Sequence, residues 1–231
     1  VLRALGLQAV FNAETLQGVG FGFAVLPALR RAHGAAAGAR LARLSAAFNA
    51  NPYLAPVAVG AVWRAEGREP PARIDRFLAL VRGPLGSLGD ALFWAGLRPA
   101  LFVPAAAAVA AGAPWWLVGA AVPAFNAVSF AARWWGARAG LRHGLDVGAA
   151  LGRSWVRRAP AWVRPAGGAA IGLVCGLALA AGTVRPGGAP EGILEAVAAW
   201  AGSAALFVVW PRRLGWGTAF LAAWAAAAAL P

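Results

Sequence analysis

The sequence predicts an all-α, polytopic integral membrane protein, with re-entrant or broken helices in its N-terminal half and a transmembrane helix bundle after them. Three observations carry that expectation. Apolar residues make up 61% of the 231 residues and charged ones only 13%, against roughly 45–50% and about 25% in soluble domains. Windows 44–63, 99–132, 165–184, 196–211 and 214–231 contain no Asp, Glu, Lys or Arg, and about 20 apolar residues suffice to cross a bilayer. Pro and Gly interrupt the N-terminal windows, where a straight span would exclude them. The net charge of +13 and pI near 12.0 raise the question of nucleic acid. The Arg residues lie between apolar blocks and not on one polar face, so membrane lipid is expected as a partner and nucleic acid is not. The first residues lack a basic region followed by a clean apolar run, so no cleavable signal peptide is expected.

Four segments follow in chain order. In the N-terminal region, 1–98, the Gly-rich stretch from Thr15 to Leu29 reads as a short dip into the membrane, ending at Pro27, Arg30 and Arg31. Gly18 and Gly22 allow another backbone to approach it. Leu44 to Trp63 has Arg40 and Arg43 before it and Arg64 and Arg68 after it. Both flanks read as cytoplasmic, which predicts a re-entrant hairpin broken at Pro52 and Pro56. In "GPLGSLGDALFW", Gly83, Pro84, Gly86 and Gly89 predict a hinge-like elbow entering a helix at Ala91. Asp90 would then sit at that helix's start, where the dipole favours an acid.

Segment 99–132 is too long for one span and carries "GAPWW", so two helices are expected, turning at Gly112–Pro114. Trp115-Trp116 and Trp134-Trp135 bracket the second helix about 27 Å apart, matching two interfacial belts. Segment 133–164 holds Arg133, Arg138, Arg142, Arg153, Arg157, Arg158 and Arg164 against Asp146 alone. It is expected to be a cytoplasmic loop. Segment 165–231 then crosses outward, returns to Arg212-Arg213 and crosses out again, leaving the C-terminus outside. Gly168, Gly172 and Gly176 recur every four residues and predict a close-packing helix face.

The polar residues within the apolar region are Gln8, Asn12, Glu14, Gln17, Asn49, Asn51, Asp90, Arg98 and Asn126. Polar groups at membrane depth are costly and tend to face a cavity. Each also has a structural reading. Asn12 and Glu14 suit a helix start. Asn49 and Asn51 suit the backbone broken at Pro52. Asp90 and Arg98 suit an ion pair, or Arg98 snorkels. Trp94 suits an interfacial belt. His33 and His143 sit among Arg residues and read as surface groups. No Cys/His metal spacing, Walker loop or nucleophile with a base is present, and "GVGFGF" lacks the spacing of a dinucleotide loop. No metal or cofactor is expected, and nothing points to an enzyme acting alone.

The stretches "LQAVFNAETLQGVGF" (7–21), "LPAL" (26–29), "FNANPY" (48–53) and "GPLGSLGDALFWAGLRP" (83–99) occur in the order and spacing of a known family. Over residues 1–145 the chain resembles the IID membrane component of the mannose-family phosphotransferase system. Asn51 stands where family members usually carry His, and Ser87 where they carry Gly. The resemblance implies a bacterial inner-membrane subunit that forms a sugar pathway with component IIC, as a multimer of IIC–IID pairs. It further implies cytoplasmic phosphocarriers IIB and IIA, with the sugar phosphorylated by IIB and no phosphorylation site on IID. On that footing Asn49, Asn51 and Asp90 are expected to converge on sugar hydroxyls, with Asn12 and Glu14 close by. Trp94 would be an aromatic platform, and Arg98 would neutralise Asp90 when no sugar is bound. The alternative is a membrane docking or regulatory subunit derived from such a permease.

Overall fold

The computed structural model describes residues 2–110 and 112–183, and every regular element among them is helical. After a 3₁₀ turn at Leu2–Gly6 come α1 (Gly18–His33), α2 (Ala37–Leu44), α3 (Pro56–Ala65) and α4 (Pro71–Gly89). A π-helical segment, Asp90–Leu97, leads into α5 (Arg98–Ala110). Then follow α6 (Trp116–His143), α7 (Val147–Arg153), α8 (Trp155–Arg158) and α9 (Pro160–Thr183). The expected helices at 196–211 and 214–231, the external segment 184–195 and the C-terminus lie outside the described residues. Among the described residues two compact units emerge: 2–94 with 123–160, and 95–110 and 112–122 with 161–183.

In the first unit, Phe21, Val25 and Leu29 of α1 and Val57, Ala58, Ala61 and Val62 of α3 are among the buried core residues. Glycine sets the closest approaches. A Cβ on Gly60 would overlap the Ala137 carbonyl, and one on Gly140 would overlap the Val57 carbonyl and the Ala61 amide. A Cβ on Gly136 would meet the Val57 side chain at 2.9 Å. Gly136 and Gly140 form a small-xxx-small pair, the spacing that lets two helix backbones touch. The sequence expectation placed such packing at Gly168, Gly172 and Gly176. Gly168 and Gly172 are half-buried on α9, and the surroundings of Gly176 lie outside the described residues. In the second unit the tight approach is at the neighbouring Gly167, against the Gly96 carbonyl and the Pro99 ring.

Leu44 to Trp63 is not one helix: α2 ends at Leu44, an irregular segment covers 45–55, and α3 starts at Pro56. Gly18 and Gly22 are indeed close-approach positions, facing the backbone and side chain of Ser45. Three local expectations are corrected. α1 passes through Pro27 to His33. Gly83, Pro84, Gly86 and Gly89 are not an elbow, because α4 runs through all four. Pro84 forfeits one backbone bond, which long apolar helices absorb, and α5, α6 and α9 carry internal Pro104, Pro123 and Pro165 in the same way. Asp90 therefore follows nineteen helical residues and opens a π-helical segment that continues α4 without a break. Its carboxylate has no free helix N-terminus to answer. Finally, 133–164 is not a loop: α6 carries Arg133, Arg138 and Arg142 to its end at His143, and short helices follow. Among the described residues one helical run, Pro71–Val109, is long and apolar enough to cross a membrane.

Candidate functional site

The irregular segment 45–55 needs partners for its backbone, and Gln17 supplies them. Gln17 is 2% exposed. Its Nε2 donates to the Ala50 carbonyl at 2.8 Å and its Oε1 accepts from the Ala50 amide at 3.2 Å. The Gln17 amide donates to the Phe48 carbonyl at 2.9 Å, and Phe48 stacks on Phe21 with ring centroids 4.3 Å apart. These bonds pin Phe48–Asn51 to the start of α1. The approach to α1 is a tight turn organised by Asn12. Its Oδ1 accepts from the amides of Glu14 and Thr15 at 3.1 and 2.8 Å. The turn holds Leu16 at φ 57°, a left-handed conformation uncommon for a non-glycine residue.

Asn51 stands at the end of the pinned segment, 3% exposed. Its Oδ1 accepts from the Tyr53 amide at 3.1 Å, closing the turn before α3. Its Nδ2 donates to Asp90 Oδ1 at 2.9 Å. The approach to α4 is possible because residue 89 is glycine. A Cβ there would overlap the Cβ and Cγ of Asn51. Gly89 is thus a notch and not a hinge.

Around this pair lies an open cavity of about 440 Å³ lined by Gln8, Gln17, Asn49, Ala50, Asn51, Pro52, Arg82, Gly83, Gly86, Ser87, Asp90 and Trp94. Asn49, Ser87 and Asp90 are exposed within it. Trp94 is 39% exposed, and its ring centroid lies 5.6 Å from that of Tyr53. Tyr53 also meets Phe93 at 4.4 Å and Phe125 at 5.6 Å, and the Arg133 guanidinium lies over its ring at 4.5 Å. The aromatic wall is therefore fixed by packing. It combines an apolar face with amide, hydroxyl and carboxylate groups, which suits a small polyhydroxylated ligand.

Of the residues expected from sequence, Asn49, Asn51, Asp90 and Trp94 come together at this cavity. Asn12 and Glu14 do not line it: Asn12, five residues before Gln17, shapes the turn into α1, and Glu14 is exposed. Arg98 opens α5 in the second unit. The π winding of Asp90–Leu97 also removes the α-helical i, i+4 register on which stacking Asp90, Trp94 and Arg98 along one face depended. Gln8 and Gln17, named in the polar set but not as sugar ligands, also line it, as do Arg82 and Ser87, which were not expected. For Arg82 the signal was available: Arg82, Gly86 and Asp90 recur every four residues, as one face of an unbroken helix would.

A second polar cluster ties the helix ends together. Glu66, its side chain 1% exposed, lies 2.8 Å from His33 Nε2 and accepts from Arg40 Nε at 2.9 Å. Arg40 Nη1 continues to Asp75 at 2.7 Å, and Arg43 pairs with Asp75 as well. Burial works against the Arg40 cation, but the hydrogen bonds to Asp75 and Glu66 outweigh it and hold its pKa above the ordinary value. His33 is therefore not a plain surface residue. It belongs to an ionic clamp joining α1, α2, α3 and α4. Among the described residues, no three His, Cys, Asp or Glu side chains gather as a metal site.

Residues 1–174 match the family described as the PTS system mannose/fructose/sorbose family IID component. The mannose-specific EIID component of Escherichia coli K12 is 33% identical over 107 residues, covering 42% of this chain and 38% of the relative. The protein from Escherichia coli O157:H7 matches equally. The alignment thus spans less than half the length of these relatives. A chain in the cryo-EM structure of the mannose transporter ManYZ with microcin E492 superposes with a TM-score of 0.57 at 25% identity. That match covers 80% of this chain and 68% of the other.

Proposed function

Since the chain belongs to the mannose/fructose/sorbose family of PTS IID components, we propose that it is a sugar-translocating subunit, forming its pathway with a IIC partner in the bacterial inner membrane. The observation that carries the reading is the Asn51–Asp90 hydrogen bond on the wall of an open polar cavity. That bond uses one of the roughly four acceptor positions of the Asp90 carboxylate. The others accept from sugar hydroxyls, while the amides of Asn49 and Gln8 and the Ser87 hydroxyl donate and accept around the ring. Trp94, held by Tyr53, takes the apolar CH face of the sugar. The helical run that carries Asp90 and Trp94 is the one suited to a bilayer among the described residues. In the broken segment 45–55 the backbone groups of Phe48, Ala50, Leu54 and Ala55 bond inside the protein, which supports irregular chain at membrane depth. IIB phosphorylates the transported sugar at the cytoplasmic side, with IIA as its fellow phosphocarrier. A polar cavity with its carboxylate braced favours transport over a docking role, which needs neither.

The test is uptake of mannose, fructose and sorbose in bacteria lacking their own IID, supplied with this chain, its IIC partner and the soluble phosphocarriers. Uptake of at least one sugar is expected, falling about tenfold or more in Asp90→Asn as a charged hydrogen-bond acceptor is lost, with IIC still co-purifying. Uptake by this chain without IIC, or unchanged uptake in Asp90→Asn, contradicts the reading.

A further inference from the structure

The cavity is lined by five neutral polar side chains, one carboxylate and one cation, Arg82. Asp90 is held by Asn51. The other acid nearby, Asp75, is already occupied by Arg40 and Arg43. Arg82 is exposed, and it also borders a second, smaller cavity of about 170 Å³ with Arg43 and Asp75. Arg82 and Asp90 lie eight residues apart along one helical run, about 12 Å of axial rise, beyond the three- and four-residue spacings at which helix side chains meet. They do not neutralise each other. The cavity therefore presents hydroxyl-binding groups around Asp90 and, further along the same wall, a guanidinium that pairs with no acid among the described residues.

Resting on the sugar reading above, we propose that Arg82 forms an anion subsite, so that the cavity takes a monosaccharide bearing an anionic group. Asn49 and Asp90 hold the hydroxyls, with Asn51 bracing Asp90, and Arg82 takes the anion. The guanidinium suits this task, since its fork of N–H donors matches the oxygens of a phosphate or carboxylate in paired hydrogen bonds. Arg82 is on α4, whose N-terminal part carries Arg73 and Arg76. The anion thus lies at the Arg82 end of the cavity wall, while the sugar ring lies toward Trp94. Two sources share this chemistry: a phosphate ester of the carried sugar, or a sugar acid.

The experiment is isothermal titration of the chain co-purified with IIC, comparing a hexose, its 6-phosphate and the matching hexuronate. Wild type is compared with Arg82→Gln and Arg82→Lys. Arg82→Gln is expected to weaken an anionic sugar about tenfold more than the neutral hexose, the effect of a charge-assisted hydrogen bond. Arg82→Lys retains part of that affinity because it keeps charge and loses the fork. Tighter binding of the 6-phosphate assigns the ester, and tighter binding of the hexuronate assigns a sugar acid. Equal losses for neutral and anionic sugars overturn the anion subsite and leave the sugar reading standing. Binding of no sugar at all overturns both.

Discussion

Asn51 commits both ends of its amide, one to the Tyr53 backbone and one to Asp90. That makes it a bracing residue, and the brace depends on charge. Asn51→Asp would set two carboxylates within hydrogen-bond distance, where both cannot stay ionised. Sugar binding should fall about tenfold or more at neutral pH and recover as pH is lowered, because one proton restores the donor. A pH series of binding isotherms checks this, and a loss independent of pH contradicts the brace. Gln17→Ala should cost about 2 kcal/mol, since the amide and carbonyl of Ala50 would be left buried without partners. Thermal denaturation of the purified complex measures it. Asn51 and Asp90 were legible as a pair of polar residues in an apolar setting. Gln17 was visible too, but its role was not, because only the folded chain puts it 33 residues away against Ala50.

At the scale of elements, the break at Pro52 was legible because proline cannot continue a helix. The same rule misled at Pro84, where the helix accepts the lost bond and runs on. The difference lies in context. Segment 45–55 has Gln17 and Phe21 to hold it open, whereas the stretch around Pro84 keeps its remaining helical bonds within α4. A four-residue glycine spacing occurs at 136–140 and again at 168–176; the first packs on α3, and the surroundings of Gly176 lie outside the described residues. Gly140→Val should destabilise the first unit by about 1–3 kcal/mol or more, as overpacking does. The added side chain would drive into the backbone of α3. A thermal midpoint unchanged by Gly140→Val contradicts the α3–α6 contact. Pro84→Ala, in contrast, should raise the midpoint slightly by restoring a helical N–H, with uptake retained. Loss of uptake in that variant would return Pro84 to a hinge role.

For the whole molecule, the site sits within one unit built from discontinuous stretches, 2–94 and 123–160. The linear order of four segments could not anticipate that union. It follows from the glycine-lined contact of α3 with α6 and from the aromatic set joining Tyr53, Phe93 and Phe125. Membrane orientation remains an expectation from arginine placement: a cysteine introduced at Arg153 should react with membrane-impermeant reagents only after the cytoplasmic side is opened. Labelling in intact cells would reverse the orientation. The central claim is that the Asn51–Asp90 cavity binds sugar. Its most direct test is equilibrium binding of radiolabelled mannose, fructose and sorbose to membranes holding this chain with its IIC partner. Saturable binding of at least one sugar is predicted, weakened about tenfold or more by Asp90→Asn while assembly with IIC is unchanged. Binding within twofold of wild type in that variant would contradict the account.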